Sequence, residues 1–115
     1  MIMTNNENNV IISGHLKYEP RLIYPDNNSK VLATSVEFSF IEEALTGGYI
    51  ERKSEQQVYF LGKLMNLLID NDKINEGSWI RIKGCLDNGN VVAYEVTYIN
   101  SSNKTVTLID EYNNE

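Results

Sequence analysis

The alternation of apolar and polar side chains along residues 30–40 is the feature that most constrains the fold. One side of this segment is mainly apolar, and the other carries mostly small or polar side chains. The first set is Leu32, Thr34, Val36, Phe38 and Phe40, and the second is Val31, Ala33, Ser35, Glu37 and Ser39. A period of two is typical of a β-strand with one buried face. The segment therefore predicts a long half-buried strand, with Phe38 and Phe40 packed in the core.

Other stretches rich in β-branched and aromatic residues predict further strands around this one. They are residues 10–16, 58–61, 79–86 and 90–99, with a short strand near 22–24 and a candidate sixth strand at 105–109. Leu64, Leu67 and Leu68 recur at helical spacing and predict one short amphipathic helix that ends near Asp72. Three strands, a helix and two strands are the layout of the OB-fold. The sequence therefore predicts an all-β, five-stranded Greek-key barrel with one short α-helix between strands 3 and 4.

Residues 41–57 interrupt the alternation. This segment is polar and has Gly47 and Gly48 near its centre, so it predicts a long hairpin loop. Loops of such length are usually functional or disordered. By contrast, the sequence Asp-Asn-Gly at residues 87–89 predicts a tight hairpin turn.

The length of 115 residues and the apolar content of 42% suit a single packed domain. We expect a flexible N-terminal arm at residues 1–9, an OB-fold domain at 10–109 and a short acidic tail at 110–115. Cys85 is the one cysteine, which excludes an intramolecular disulfide. The apolar runs are far shorter than the ~20 residues of a membrane span. The sequence therefore predicts a cytoplasmic protein with no membrane partner.

The net charge of −6 argues against a polyanionic partner, because proteins that bind nucleic acid usually carry a basic excess. Half of this charge, however, lies at the two ends of the chain. Residues 10–99 hold nine basic and twelve acidic side chains, which leaves −3. The charge therefore does not exclude a nucleic acid, but it predicts weaker and more salt-sensitive binding.

Four segments in order resemble motifs of the bacterial single-stranded DNA-binding protein family. The segments are residues 10–16 (VIISGHL), 19–24 (EPRLIY), 58–64 (VYFLGKL) and 77–86 (GSWIRIKGCL). Glu95 and Val96 fall at a further matching position. Each motif alone is weak, but four at the family's spacing form a specific pattern that covers about residues 9–109.

The resemblance implies a homotetrameric or dimeric OB-fold protein that coats single-stranded DNA in replication, repair and recombination. Binding in that family is not sequence-specific and involves no catalysis. A related branch, the primosomal replication protein, is dimeric, has a similar length and helps to restart stalled forks. The implied partners are therefore single-stranded DNA, further copies of the chain and replication or restart proteins.

The chain departs from the family at positions where the family stacks bases on aromatic side chains. Two tryptophan positions of the family align with Glu42 and Glu55, and a third aromatic position aligns with Leu61. A base–aromatic stack is worth about 1–3 kcal/mol. The tight turn at 87–89 also replaces a long basic loop of the family. These departures predict weaker binding than is usual in the family.

Single-strand binding requires cations along a groove and flat side chains between them. The predicted nucleic-acid-binding residues are Lys17, Arg21, Lys30, Tyr49, Arg52, Lys53, Tyr59 and Lys63. Lys63 matches the lysine of the family's Gly-Lys-Leu motif, whereas Arg52 and Lys53 have a solvated loop tip as their alternative. A continuous basic stripe through Lys30, Arg52, Lys53 and Lys63 favours DNA, and scattered charges favour a protein partner.

The fourth predicted strand indicates an oligomer contact. Trp79 and Arg81 alternate with Ile80 and Ile82, so they are expected to point out of the barrel. An outward tryptophan indicates either a subunit contact or a stacking platform, and the resemblance favours the contact. The predicted oligomer interface consists of Val10, Ile12, Trp79 and Arg81.

No motif indicates catalysis, a metal or a cofactor. His15 and Cys85 are far apart in the sequence, which makes a nucleophile pair improbable. Asp70 and Asp72 begin no calcium loop, because Asn75 stands where that loop needs glycine. The leading interpretation is a non-catalytic, sequence-nonspecific single-stranded DNA-binding protein. The alternative is a primosomal-type accessory or protein-interaction module with a reduced DNA-binding surface.

Overall fold

The computed structural model of the chain describes residues 8–70 and 74–110. These residues form, in order, β1 (Val10–Leu16), β2 (Arg21–Ile23), β3 (Val31–Glu43), β4 (Tyr49–Phe60), α1 (Gly62–Asp70), β5 (Trp79–Asp87), β6 (Asn90–Ile99) and β7 (Thr105–Ile109). Most of the predicted arm, most of the predicted tail and the helix end predicted near Asp72 lie outside the described residues. Those three expectations therefore stay predictions.

Five of the strands close into a barrel in the order β1–β5–β6–β4–β3, and β3 returns to β1. Barrel neighbours are antiparallel except β4 and β6, which run parallel. The ring closes where Leu16 lies opposite Val36. β2 pairs beside β3, and β7 pairs beside β6. With α1 between β4 and β5, which are the predicted strands 3 and 4, this arrangement confirms the predicted OB-fold.

The barrel is filled by the inward-facing side chains of its alternating strands. Phe60 and Tyr98 are the largest fully buried side chains of the described residues. α1 covers this core, because Leu64, Met65 and Leu68 all pack into it. Complete burial of one large apolar side chain contributes about 1.5–3 kcal/mol. The helix is therefore held by its apolar stripe rather than by its own nine-residue length.

Two glycines allow barrel strands to approach each other closely. A Cβ atom on Gly14 would collide with the carbonyl oxygen of Glu37 on β3, and one on Gly84 would collide with the carbonyl oxygen of Val92 on β6. Gly84 also follows a register shift between β5 and β6 at Lys83. Such bulges bend a strand and increase its twist. Glycine is therefore required at both positions, because a side chain there would collide with the backbone of the neighbouring strand.

The long loop predicted at residues 41–57 is wrong in its extent. β3 and β4 remain paired as far as Glu43 and Tyr49, so the connection contains only residues 44–48. The periodicity did not reveal these strands because residues 49–55 are all exposed. With no buried face, a strand has no reason to alternate apolar and polar residues. The prediction of a hairpin is confirmed, but its strands are much longer than expected.

The paired segments 37–43 and 49–55 form a two-stranded ribbon that extends beyond the barrel. Among the ribbon residues, Glu37 at the base still pairs with His15 of β1, and the segments beyond it pair with each other. Phe38 lies at the base of the ribbon and packs against the core, as predicted. Phe40 is 46% exposed, so its predicted core position is wrong. Phe40 lies further out, where the barrel no longer covers the strand.

The barrel half of β3 is buried on both faces, although the alternation predicts one buried face. All residues from 31 to 36 are buried. The segment that follows β1 is attached to this part of β3. The amide of Lys17 donates to the carbonyl oxygen of Ser35 over 2.8 Å, and Thr34 Oγ1 donates to the carbonyl oxygen of Tyr18 over 2.8 Å. Side chains of the post-β1 segment are thereby fixed next to β3.

Candidate nucleic-acid interface

The outer side of β3 and β4 presents a row of mostly polar side chains. Opposed residues of an antiparallel pair share a face, and the opposed residues Leu32 and Phe60 both point into the core. Because neighbouring side chains of a strand alternate, the odd-numbered residues of both strands therefore point outward. The outward side chains are Ala33, Ser35, Glu37 and Ser39 on β3, and Lys53, Glu55, Gln57 and Tyr59 on β4. We call this surface the β3–β4 face.

Two tyrosines and an arginine form a platform at the barrel end of the β3–β4 face. Arg21 opposes Ala33, and Ala33 opposes Tyr59, so these three residues form one row across the sheet. The guanidinium carbon of Arg21 lies 4.5 Å from the ring centre of Tyr18, which is a cation–π contact. The Tyr18 hydroxyl donates to Gln57 Oε1 over 3.5 Å. The platform thus offers aromatic rings beside a cation, which a stacked base and its phosphate require.

Tyr18, Ser35 and Gln57 belong to this surface but were not among the predicted binding residues. The signal for Tyr18 was available, because an aromatic residue lies between Lys17 and Arg21 in a segment expected to be a loop. Ser35 and Gln57 carried no such signal. An outward serine or glutamine on a strand looks the same in sequence whether or not it lies on a binding face.

Lys17 reaches the β3–β4 face and is held there by Glu55. Lys17 Nζ lies 2.8 Å from Glu55 Oε1, and the Ser35 hydroxyl donates to Glu55 Oε2 over 2.8 Å. The hydrogen bond and the charge of Glu55 raise the pKa of Lys17 above its usual value. The hydrogen bonds from Lys17 and Ser35 lower the pKa of Glu55. Both side chains are therefore ionised at neutral pH and neutralise each other.

Arg52 and Lys53 lie on opposite faces of the ribbon, because neighbouring side chains of a strand alternate. Lys53 opposes Ser39 on the β3–β4 face. Arg52 points to the other side, where its Nε donates to Glu42 Oε2 over 2.6 Å in an ion pair. Both residues therefore lie on β4 rather than at the solvated loop tip that was their alternative, and they do not share a face.

The other predicted binding residues lie towards the two ends of the β3–β4 face. Lys30 directly precedes β3 and Lys63 lies in the first turn of α1, so both are at the barrel end. Tyr49 opposes Glu43 at the outer end of the ribbon and is 76% exposed. Cations are thus spread along the length of β4, but Glu55 separates them. The continuous stripe that would have favoured DNA most strongly is not formed.

The three positions at which the family stacks bases have different surroundings. Glu55 lies on the β3–β4 face, whereas Glu42 lies on the opposite side of the ribbon. Leu61 follows β4 and is 37% exposed. Among these replacements, the one at Glu55 therefore affects the β3–β4 face most directly.

The four residues of the predicted oligomer interface do not all point the same way, and the interface itself stays a prediction. Trp79 and Arg81 point outward and are half-buried, opposite His15 and Ser13 of β1. Ile12, however, belongs to the barrel core, and Val10 packs against that core. The pairing of β1 with β5 explains this correction, since it places Ile12 opposite the buried Ile82. The outward position of β1 is instead filled by Ile11, which is 59% exposed.

A cluster of side chains that could hold a metal ion is not found in the part of the chain that the structure describes. No three histidine, cysteine, aspartate or glutamate side chains come together there. His15 opposes Trp79 at one end of β5, and Cys85 lies near the other end. At about 3.3 Å per residue they are roughly 20 Å apart. No helix within residues 8–70 and 74–110 is long and apolar enough to cross a membrane.

Comparison with known proteins gives the same architecture. A scan against protein-family models finds no match, and a search of the curated proteins finds none. A deletion mutant of the single-stranded DNA binding protein from Thermus aquaticus matches with a TM-score of 0.66 and 17% identity, covering 86% of this chain and 53% of that one. The chain therefore spans about half the length of that protein.

A second solved structure is that of the Plasmodium falciparum SSB in complex with ssDNA. It matches with a TM-score of 0.57 and 15% identity, covering 89% of this chain and 83% of the other. Both neighbours carry in their names the ligand that the sequence motifs suggested. The barrel described above is therefore the fold of single-stranded DNA-binding proteins.

Proposed function

We propose that the protein binds single-stranded DNA through the β3–β4 face, without sequence specificity and without catalysis. The observation that carries this proposal is the platform of Tyr18, Arg21 and Tyr59 on the outer side of a barrel shared with single-stranded DNA-binding proteins. OB-folds bind oligonucleotides on this side of the barrel. The platform combines the two groups that single-strand binding needs, which are flat rings and a cation.

The residues of the face have separate roles in this proposal. Tyr59 and Tyr18 stack on bases, and Arg21 pairs with the phosphate between them. Lys53 neutralises a phosphate further out along β4. Lys53 lies on the face that contacts the DNA, whereas Arg52 lies on the opposite face. These contacts go to bases through stacking and to phosphates through charge, so binding should not depend on sequence.

A general role in replication, repair or recombination follows from the binding of single strands. We further propose a homo-oligomer, a dimer or tetramer, formed through the half-buried outer face at Trp79 and Arg81. Replication or restart proteins are the expected protein partners, and the cytoplasm is the expected location. Sedimentation of the intact chain over a range of concentrations measures the oligomer directly.

A titration of fluorescently labelled oligo-dT with the intact chain tests the main proposal. We expect binding at low salt, with log affinity falling against log salt at a slope of about −0.7 for each phosphate neutralised. An unlabelled single strand of mixed sequence should compete equally well, whereas a duplex should not compete. Failure to bind any single strand at low salt would refute the proposal.

The second candidate function is a protein-interaction module of the primosomal type. The ion pairs of Lys17 with Glu55 and of Arg52 with Glu42 favour it, because they remove two of the predicted cations from a DNA path. An OB barrel that binds a protein partner would retain the fold and lose affinity for oligo-dT. The same titration therefore distinguishes the two functions.

A further inference from the structure

Three elements meet at one carboxylate on the β3–β4 face. Lys17 follows β1, Ser35 lies on β3 and Glu55 lies on β4, and both of the first two donate to Glu55 over 2.8 Å. Ser35 is 2% exposed, so its hydroxyl is held in one place. The side chains of Lys17 and Glu55 are about half exposed, at 46% and 49%. An ammonium group and a buried hydroxyl thus converge on an anion at the surface of the protein.

We propose that Lys17 and Ser35 form a phosphate-binding subsite for the DNA backbone, and that the carboxylate of Glu55 occupies this subsite in the unliganded protein. The inference rests on the proposed function, because the phosphate is that of a bound single strand. The platform of Tyr18 and Arg21 adjoins the subsite, since Tyr18 is the next residue after Lys17 and contacts Gln57. A strand that stacks on the platform therefore passes close to Lys17.

The chemistry of the subsite suits a phosphate diester as well as a carboxylate. Both anions accept hydrogen bonds through two oxygens, and charged donors shorten and strengthen such bonds. The Glu55 side chain is tethered to β4, so it competes with phosphate at a high effective concentration. Its lowered pKa keeps it anionic at neutral pH. Glu55 therefore sets the affinity of the face by withholding one cation and one hydroxyl from the strand.

Replacement of Glu55 should open the subsite. For Glu55→Ala we expect oligo-dT binding that is about fivefold tighter at low salt, with a salt dependence steeper by about 0.7 because one more phosphate is neutralised. In the Glu55→Ala background, Lys17→Gln should remove the additional slope, and Ser35→Ala should remove part of the gain in affinity. Far-ultraviolet circular dichroism of each variant confirms that it is folded.

Glu51→Ala is the matched control for the loss of a negative charge. Glu51 lies on the same side of β4, opposite Ile41 and further out along the ribbon, and it is exposed. Its removal changes the net charge by the same amount but leaves Glu55 in the subsite. We expect a small rise in affinity and an unchanged salt slope.

Three results distinguish this inference from the proposed function. If the original protein binds oligo-dT and Glu55→Ala gives the same affinity and slope as Glu51→Ala, the occluded subsite is refuted while DNA binding stands. If Lys17→Gln alone lowers the slope by about 0.7, Lys17 already contacts phosphate and the occlusion by Glu55 is likewise refuted. If the original protein binds no single strand at low salt, the proposed function itself fails, whatever the result for Glu55→Ala.

Discussion

The barrel and the ribbon are built from the same two strands, β3 and β4, yet they differ in what holds them. In the barrel, residues 31–36 are buried on both faces, and Val58 and Phe60 are inaccessible. In the ribbon, by contrast, residues 49–55 are all exposed. The barrel half therefore gains its stability from burial, whereas the ribbon half depends on backbone hydrogen bonds and cross-strand pairs.

Stability is therefore expected to depend mainly on the barrel half of the hairpin, whereas the proposed binding face extends over both halves. Core side chains of the barrel are inaccessible to a ligand, whereas the ribbon and the connection at its tip carry exposed apolar side chains, namely Ile41, Leu45 and Tyr49. The β3–β4 face spans both halves, with Tyr59 over the barrel and Lys53 on the ribbon. Substitutions in the two halves should therefore have different effects.

The largest difference is expected for a pair of phenylalanines in the two halves. Phe60→Ala should destabilise the protein by about 3–5 kcal/mol, because it leaves a cavity in a fully buried site. Phe40→Ala should cost less than about 1 kcal/mol, since Phe40 is 46% exposed. Urea unfolding followed by Trp79 fluorescence measures both. Equal losses would show that the ribbon is covered in solution.

The second comparison concerns Gly14, where the backbones of two barrel strands approach each other closely. Gly14→Ala should cost about 1–3 kcal/mol, because the new methyl group collides with the backbone of Glu37. The adjacent Ser13→Ala serves as the control, since Ser13 is exposed and should change the free energy of unfolding by less than about 0.5 kcal/mol. A Gly14→Ala variant as stable as the original would contradict the close approach of β1 to β3 at Gly14.

A pair of tyrosines tests which half of the hairpin contributes to binding. Tyr59→Leu should weaken oligo-dT binding by about 1–3 kcal/mol if Tyr59 stacks on a base. Tyr49→Leu should have a smaller effect, because Tyr49 lies at the far end of the ribbon and away from the Tyr18–Arg21 platform. Titration at one fixed salt concentration gives both values. A larger loss for Tyr49 would move the binding site to the ribbon.

The smallest effect is the pH dependence of the ion pair at the base of the ribbon. The pKa of Glu55 is lowered in the folded protein, so the ionised carboxylate stabilises the fold. This stabilisation is complete above the unfolded pKa of Glu55 and is lost as pH falls through its folded pKa. The pKa of Lys17 is raised, so its contribution is lost as pH rises through that value. The stability difference between the original protein and Glu55→Gln should therefore be constant near neutral pH and vanish in acid. Urea unfolding at several acidic pH values checks this, and a difference that persists in strong acid would contradict it.

The sequence was sufficient to predict the barrel because burial leaves a pattern. The alternation of β3, the apolar stripe of α1 and the glycines at 14 and 84 all arise from the core and were visible in the chain. The order of these elements was enough for the OB-fold. Val10 and Ile12 were misplaced because the register of β1 against β5 depends on pairing, which a single strand does not reveal.

The candidate site was less predictable because its residues are defined by what they face. Arg52 and Lys53 are adjacent in sequence but lie on opposite faces of β4. This part of β4 has no buried side, so its sequence did not reveal the alternation. The contact of Ser35 with Glu55 joins two strands, and neither residue is distinctive alone. Lys17, Arg21 and Tyr59 were among the predicted binding residues because of their charge or aromatic character, and they lie on or beside the β3–β4 face.

The parallel contact of β4 with β6 has a consequence for the order of folding. It joins strands that are separated in the chain by α1 and β5, so a long loop must close before the contact forms. Proteins dominated by such contacts fold in milliseconds to seconds. The ribbon, joined by residues 44–48, pairs neighbouring strands, and a hairpin forms in about 1–10 μs. We therefore expect the ribbon to form first and to set the register of β3 against β4 before the barrel closes.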